Sequence, residues 1–331
     1  RDVLGSRGLG DVYKRQKVYD TNNELQDLEK VLGKTANKEN VKYFDKIRAS
    51  IRFKHFKKTY DENILDIKGG LNDVVMNNSP IDIDKLIEGT NEILTANRNS
   101  LQLFDMLHSM RQFDDLTYVH SVNVALIASI LGQWLKFSEK DIRILTISGL
   151  LHDIGKIMIP NEILTKPGKL TVAEYNIMKQ HVNFGYEKVK NQNIDIRIKE
   201  ACLLHHEKCD GTGYPFGLKS DHIPAVAKII AIADVYDAMT SARVYRGALC
   251  PFEVIDTMYK DAFTKFEPEY ILPFLKNVAS SYINNDVRLS DGRIGKVVLI
   301  NENALSLPIV QCEDEFIDLS KTRELTVSAI L

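Results

Sequence analysis

Imidazole and carboxylate side chains are concentrated in the middle of this sequence, mostly beside apolar, helix-forming segments. The set comprises His120, His152, Asp153, His181, His205, His206 and Asp234. Asp234 interrupts the apolar run Ile229–Val235, where a bare carboxylate is very costly unless it meets a partner or a metal. Neutral imidazole and carboxylate together suit iron, manganese or zinc. The residue types therefore predict a metal centre built from several helices.

The cysteines and the remaining histidines do not extend this set. The four cysteines are scattered along the chain and form no CxxC pair. This arrangement argues against a structural zinc site and favours a reduced, cytoplasmic protein. We interpret three further histidines as ordinary packed or surface residues, namely His55, His108 and His222.

Signals for helices, a loop and strands surround the candidate ligands. Thr171-x-x-Glu174 has the pattern of a capping box and predicts a helix that carries His181. Asp210–Pro215 contains two glycines and a proline, which predicts a loop. After Asp286, short alternating and β-branched apolar runs predict about four antiparallel strands.

The chain divides into four stretches, and the expected fold class is mainly α. Residues 1–16 contain the string SRGLGDVYKRQ, which resembles a translated sequencing adapter. We predict that this stretch is an artefact and that a native start, with any upstream sensor or membrane segment, is missing. Residues 17–100 are predicted to be an N-terminal helical segment, residues 101–283 a helical domain, and residues 284–331 a small antiparallel β appendage.

Three ordered motifs resemble those of the HD-GYP family. His152–Lys156 reads HDIGK, His206–Pro215 reads HEKCDGTGYP, and Ala233–Ser241 reads ADVYDAMTS. The resemblance covers about residues 101–283 and implies an HD-domain helical bundle. It also implies a cyclic di-GMP phosphodiesterase whose product is pGpG, with further hydrolysis to GMP left open.

By position in these motifs, the resemblance implies two divalent transition-metal ions. The implied ligands of one ion are His120, His152, Asp153 and Asp234, and those of the other are His181, His205 and His206, with Asp153 bridging both. Iron or manganese is expected, while zinc, nickel and cobalt remain open. A third ion is not expected, because Leu116 stands where some family members have a ligating Glu and Asp115 is one residue out of register.

Asp153 and Lys156 are the expected catalytic residues. Two close cations lower the pKa of a bridging water, so a hydroxide is available near neutral pH for in-line attack at phosphorus. Metal and lysine then stabilise the charge that develops on the expelled ribose oxygen. Lys156 lies about one turn after His152 and Asp153, close enough to reach the same phosphate.

Further substrate contacts are implied for residues of the second and third motifs. Beside Lys156 they are Gly213, Tyr214, Asp237, Arg243 and Arg246. Tyr214 is expected to pack against the ligand and Asp237 to hydrogen-bond a guanine edge. The planar guanidinium groups suit bidentate contacts to base or phosphate. Two departures from the family pattern leave the charge intact: Val244 replaces the usual Pro, and Arg246 replaces a common Lys.

Two alternative functions remain open at this stage. One is a phosphodiesterase for another cyclic dinucleotide, such as cyclic GMP-AMP. The other is a non-catalytic signalling module that docks a diguanylate cyclase, a GGDEF-domain protein.

The 43 basic and 45 acidic residues give a net charge of −2, which excludes bulk nucleic-acid binding. No apolar stretch is long enough to predict a membrane span, and the N-terminal helices could pair two chains in a homodimer.

Overall fold

The computed structural model describes residues 47–97, 100–110, 116–166, 168–240, 249–322 and 324–331. Over these residues the chain is mainly α-helical and ends in a small antiparallel sheet, which confirms the predicted fold class. The helices are α1 (Ile51–Asn77), α2 (Ile83–Ala96), α3 (Ser100–Ser109), α4 (Leu116–Trp134), α5 (Glu139–Leu151), α6 (Asn161–Leu164), α7 (Val172–Met178), α8 (His181–Val189), α9 (Ile196–Leu204), α10 (Ala225–Thr240), α11 (Pro251–Asp261) and α12 (Pro268–Ser280). Short 3-10 turns occupy Ile154–Met158 and Ser220–His222.

The capping box predicted at Thr171 is present. The Thr171 side chain accepts a hydrogen bond from the backbone N–H of Glu174, and the Glu174 carboxylate accepts one from the backbone N–H of Thr171. The helix that this box opens is α7, which ends at Met178. His181 therefore lies at the start of a separate helix, α8, and not on the capped helix as predicted.

Helix α4 forms the centre of the bundle. Residues 121–132 are buried without interruption, so this helix is surrounded by neighbours, chiefly α5 and α10. Gly149 of α5 allows the close approach, because a Cβ at this position would collide with the backbone of Ala125. None of the described helices is both long enough and apolar enough to cross a membrane.

The two N-terminal helices pack on the same core. Helix α1 contacts α4, and α2 contacts α4 and α5. Phe56, Tyr60 and Ile67 of α1 are buried. Asn63 of α1 donates a hydrogen bond to the Thr90 hydroxyl of α2, which satisfies two buried polar groups. Helices α1 and α2 therefore share their interior with the ligand-bearing helices.

The C-terminal residues form a five-stranded antiparallel sheet. Its strands are β1 (Asp286–Leu289), β2 (Ile294–Leu299), β3 (Ile309–Cys312), β4 (Glu315–Asp318) and β5 (Val327–Ile330). They are arranged in the order β4-β3-β2-β1-β5. The prediction of about four strands missed β5, which pairs with β1 through the register Val287↔Ile330. Strand β5 reads VSAI and buries Val327, Ala329 and Ile330, so it lacks the strict alternation that predicts a half-buried strand.

Candidate metal centre

The seven candidate ligands converge from five places in the helical bundle. His120 comes from α4, and Asp234 comes from the middle of α10. The HD pair follows directly after the last residue of α5, and the HH pair follows the last residue of α9. His181 is the first residue of α8. Helix ends thus supply most of the ligands, while the buried helices α4 and α10 close the site.

The convergence produces two groups of side chains that could each hold a metal ion. The first group contains His120, His152 and Asp234, and the second contains Asp153, His181, His205 and His206. Within each group the potential ligand atoms lie within 4.8 Å of one another. The second group contains the four ligands that the motifs implied for one ion, and the first contains three of the four implied for the other, the exception being Asp153.

Asp153 reaches both groups with different oxygens. Its Oδ2 lies 3.3 Å from His152 Nε2 and 3.5 Å from His120 Nε2. Its Oδ1 lies 3.2 Å from His181 Nε2 and 3.7 Å from His205 Nε2. The Asp153 side chain is 1% exposed, so its charge must be balanced inside the protein.

Backbone carbonyls fix the orientation of three histidine rings. The Nδ1 atoms of His152, His181 and His205 lie 2.8, 2.8 and 3.0 Å from the carbonyl oxygens of Gly149, Met178 and Ala201. A carbonyl can only accept, so each Nδ1 carries the proton and each Nε2 presents a lone pair to the centre. This arrangement is typical of metal-binding histidines.

His120 is oriented by a carboxylate instead. Its Nδ1 lies 2.7 Å from Oδ2 of Asp237, and its Nε2 lies 3.0 Å from Oδ1 of Asp234. The other oxygen of Asp237 accepts a hydrogen bond from Asn123 at 2.9 Å. Asp237 is 3% exposed, and both of its oxygens are occupied within the protein. Its predicted contact with a guanine edge stays a prediction.

Two orphaned atoms show that a cation fits this site. Among the described residues, His152 Nε2 and Asp153 Oδ1 are buried without a hydrogen-bond partner. The 3.2 Å approach of His181 Nε2 does not satisfy Asp153 Oδ1, because the His181 proton is on Nδ1. Unsatisfied buried acceptors are costly, and a metal ion would satisfy both atoms at once.

The second group holds its histidines neutral. Burial lowers the pKa of His181 to about 4 and that of His206 to about 3, and it also lowers the pKa of His205 well below its usual value. A neutral imidazole is the form that binds metal. These rings therefore need to lose no proton on binding a cation at neutral pH.

The first group has the opposite electrostatic character. Burial disfavours a charge on His120, but Asp234 and Asp237 outweigh burial and raise the pKa of His120 to about 10. The pKa of Asp234 is lowered well below its usual value, because the bond to His120 and the nearby histidines outweigh burial. In the metal-free protein a proton on His120 thus occupies the position that a cation would take.

Lys156 stands beside the shared carboxylate. It belongs to the 3-10 turn after the HD pair, and its Nζ lies 2.5 Å from Oδ2 of Asp153. The lysine side chain is 22% exposed while Asp153 is 1% exposed, so Lys156 connects the buried centre to solvent. Gly155 permits this packing, because a Cβ there would collide with the carbonyl oxygen of His181.

A carboxylate missed by the sequence analysis shapes the loop after the HH pair. Glu207 is 4% exposed and accepts hydrogen bonds from the backbone N–H groups of Phe216 at 2.7 Å and Leu218 at 2.8 Å. Gly213 is required within this loop, since a Cβ there would collide with the backbone around Glu207. The loop brings the Tyr214 ring into a stacked contact with His206, with 4.7 Å between centroids.

Lys179 is a second residue that the sequence analysis missed. Its Nζ lies 5.9 Å from the Tyr214 ring centroid and 5.1 Å from the Tyr175 centroid. Burial lowers the pKa of this half-buried lysine. Its place two residues before His181 was the only signal in the sequence.

Some predicted residues contribute nothing to this geometry. His55 and His222 are exposed and lie outside both groups. The positions outside the description are Arg243, Val244, Arg246 and Asp115, together with the side chains of His108 and Leu116. The predictions made for these residues therefore stay predictions.

Comparison with known proteins identifies a family match over this part of the chain. The family model described as HD domain matches residues 89–270. This chain belongs to the HD domain family. The match includes all seven candidate ligands and begins within α2, so the HD domain contains both ligand groups.

Proteins that resemble this HD domain chain include named phosphodiesterases. The chain is 36% identical over 203 residues to a cyclic di-GMP phosphodiesterase of Pseudomonas aeruginosa, covering 61% of this chain and 49% of that protein. It is 30% identical over 216 residues to 3'3'-cGAMP-specific phosphodiesterase 2 of Vibrio cholerae, covering 64% and 40%. The chain thus spans about half the length, or less, of these relatives.

A solved structure shares the fold. Bd1817, a HDG"Y"P protein from Bdellovibrio bacteriovorus, matches with a TM-score of 0.50 at 17% identity. The match covers 78% of this chain and 80% of that one. At this identity the likeness supports the HD-domain bundle as a fold.

Proposed function

We propose that this HD domain is a metal-dependent phosphodiesterase that hydrolyses cyclic di-GMP to pGpG, and product analysis decides whether GMP follows. One observation carries the proposal. The buried carboxylate of Asp153 directs one oxygen into each of two ligand groups. Two-metal sites with a shared ligand suit hydrolysis of phosphate esters, because both the attacking and the leaving oxygen need charge stabilisation.

Iron or manganese is the proposed metal. The donor set is imidazole and carboxylate without a thiolate, which suits these ions and does not exclude zinc, nickel or cobalt. The proposed ligands of one ion are His120, His152, Asp153 and Asp234, and those of the other are Asp153, His181, His205 and His206. Bound cations supply Lewis acidity, which acidifies water and neutralises phosphodiester charge.

The residues around the ions have separate tasks in this proposal. Asp153 holds the two ligand groups together and keeps Lys156 at the edge of the centre. Lys156 donates to a phosphate oxygen and stabilises the charge on the leaving ribose oxygen. Tyr214 and the Gly213 loop close one side, where a guanine ring can pack on the tyrosine.

Lys179 adds a contact that the motifs do not include. Its ammonium group lies beside Tyr214, and no carboxylate is its partner among the described residues. A half-buried cation at the rim of a metal centre attracts a dianionic substrate. We assign it a phosphate contact, with Arg243 and Arg246 as further proposed contacts to base or phosphate.

Product analysis tests the proposed function. The protein is reconstituted with Mn²⁺ or Fe²⁺ and incubated with cyclic di-GMP, and the products are separated by chromatography. We expect pGpG from the wild-type chain and no product from the His152→Ala/Asp153→Ala variant. Equal hydrolysis by the wild type and this variant would overturn the proposed mechanism.

Cyclic GMP-AMP is a second candidate substrate. A relative at 30% identity carries the name of a 3'3'-cGAMP-specific phosphodiesterase. Parallel incubation with the two cyclic dinucleotides, at matched concentrations, distinguishes the candidates by their kcat/KM ratio. Four further expectations stay predictions: docking of a GGDEF-domain protein, pairing of two chains, a cytoplasmic location and the domain limits 101–283.

A further inference from the structure

The hydrogen-bond chain behind His120 begins on a helix that carries no ligand. Tyr60 of α1 donates its hydroxyl proton to Oδ1 of Asn123 at 2.5 Å. Asn123 Nδ2 donates to Oδ1 of Asp237 at 2.9 Å, and Oδ2 of Asp237 lies 2.7 Å from His120 Nδ1. Tyr60 lies outside residues 89–270, which the family model matches. We call Tyr60, Asn123 and Asp237 the Tyr60 chain.

The three residues of the Tyr60 chain are all buried. Tyr60, Asn123 and Asp237 are 0%, 2% and 3% exposed. Water cannot replace a lost partner easily at such positions, so each hydrogen bond depends on its neighbour. The Tyr60 chain also connects three helices, since Tyr60 is on α1, Asn123 on α4 and Asp237 on α10.

Chemistry fixes the direction of every hydrogen bond in the Tyr60 chain. The Asp237 carboxylate can only accept, so Asn123 must present its NH₂ group to it. The amide oxygen of Asn123 then faces Tyr60, whose hydroxyl must donate. The other oxygen of Asp237 accepts a hydrogen bond from His120 Nδ1–H. The Nε2 atom of His120 then faces Asp234, the carboxylate of the first ligand group.

We propose that Tyr60 positions His120 for metal binding through Asn123 and Asp237. The Tyr60 hydroxyl holds the Asn123 amide in the one orientation that supports Asp237. Without it, the amide oxygen of Asn123 is buried and unsatisfied, and the amide can rotate to place oxygen against the carboxylate of Asp237. Two acceptor oxygens repel each other, so the contact between Asp237 and His120 weakens. Helix α1 is therefore part of the support of the metal centre.

The test measures Mn²⁺ binding to the metal-free protein and rests only on the metal centre of the proposed function. Tyr60→Phe removes the hydroxyl and keeps the ring. Changes to outer-shell partners typically weaken metal affinity about 10- to 100-fold. We expect Tyr60→Phe to weaken Mn²⁺ affinity about 3- to 10-fold, because Tyr60 reaches His120 only through Asn123 and Asp237. Tyr282→Phe is the matched control, because Tyr282 is equally buried and belongs to no part of the Tyr60 chain. We expect wild-type Mn²⁺ affinity for this control.

A double-mutant cycle separates positioning from general loss of stability. If Tyr60 acts through Asn123, Tyr60→Phe has no further effect on Mn²⁺ affinity in an Asn123→Ala protein. Additive effects would overturn the proposal, as would equal Mn²⁺ affinities for Tyr60→Phe and Tyr282→Phe. If Asn123→Ala fails to fold, the comparison of the two tyrosine variants decides alone, with their melting temperatures as a check.

The outcome is independent of catalysis. A wild-type chain that binds Mn²⁺ but hydrolyses no cyclic dinucleotide overturns the proposed function, while the tyrosine comparison still decides the role of Tyr60. A wild-type chain that binds no Mn²⁺, Fe²⁺ or other divalent ion overturns both proposals.

Discussion

The two ligand groups lie side by side but differ in how the protein prepares them. In the first group His120 lies between Asp234 and Asp237, and these carboxylates raise its pKa to about 10. In the second group burial lowers the pKa of His181 to about 4. Each group contains one carboxylate, but the histidine of the first group that lies between two aspartates holds a proton, whereas the histidines of the second group are neutral. If both groups bind metal as proposed, binding to the first group should depend on pH and binding to the second should not.

Removing the carboxylate common to both groups should have the largest effect. Asp153→Asn leaves both groups without a shared anion, so we expect less than one metal per chain and a loss of turnover beyond the roughly 100-fold typical of outer-shell changes. Elemental analysis and product formation measure the two effects. Asp221→Asn, a change at an exposed aspartate, is the control. Retention of two tightly bound ions by Asp153→Asn would contradict a shared ligand.

Removing one ligand from either group should abolish metal binding to that group and leave binding to the other group intact. Asp234→Asn affects the first group and His206→Ala the second, so each variant should retain about one metal ion per chain under conditions that saturate the wild type. Both variants should lose most turnover, because two-metal chemistry needs both ions. Metal content against free Mn²⁺ measures the outcome. If either variant retains both ions at wild-type affinity, the assignment of groups is wrong.

The pH dependence of metal binding should differ between the groups. Below pH 10 the first group must displace the proton of His120, so its metal affinity should rise about tenfold for each unit of increasing pH. The second group should show a flat profile above about pH 5, because the pKa of His181 is about 4.

Titration of the two single-group variants measures this contrast. His206→Ala retains the first group and Asp234→Asn retains the second, so their Mn²⁺ affinities can be compared between about pH 6.5 and pH 8.5. We expect a steep profile for His206→Ala and a flat profile for Asp234→Asn. Parallel profiles would show that the proton on His120 does not control the first group.

Lys179 should have the smallest effect, and on substrate alone. Lys179→Met removes the ammonium group beside Tyr214, so KM for cyclic di-GMP should rise about 3- to 10-fold, as expected for one lost charge contact that is partly solvated. Metal content should stay at the wild-type value. Lys140→Met, at an exposed position on α5, should change neither quantity. A fall in metal content for Lys179→Met would place this lysine among the supports of the second group.

Sequence motifs named residues that the structure brings together, but they did not predict the contacts among them. The HD and HH pairs, with His120, His181 and Asp234, come together as the motifs implied. Asp237 lies three residues after Asp234, one turn along α10, so the sequence could place it near the centre. Whether it faces substrate or His120 depends on how α10 packs against α4, which no local pattern records.

Other parts were beyond sequence reasoning for physical reasons. Tyr60 is one buried aromatic among several on α1, and only tertiary packing shows that its hydroxyl meets Asn123. Glu207 reads as an ordinary charged residue, yet its carboxylate gathers backbone N–H groups of a loop nine residues away. The mainly α architecture could be predicted because helical periodicity and capping are local, whereas β5 buries three of its four residues and shows no alternation.

The scatter of the ligands along the chain also has a consequence for how this protein obtains its metal. Candidate ligands occur from His120 to Asp234 and on five separate elements, so no short segment offers a complete site. The first group, which includes Asp234, can therefore capture a cation tightly only after α10 has been synthesised and has docked. Mixed imidazole and carboxylate sites accept several first-row ions. The ion loaded in the cell should accordingly reflect the metal pool where maturation finishes, and expression in a different host or medium should change it.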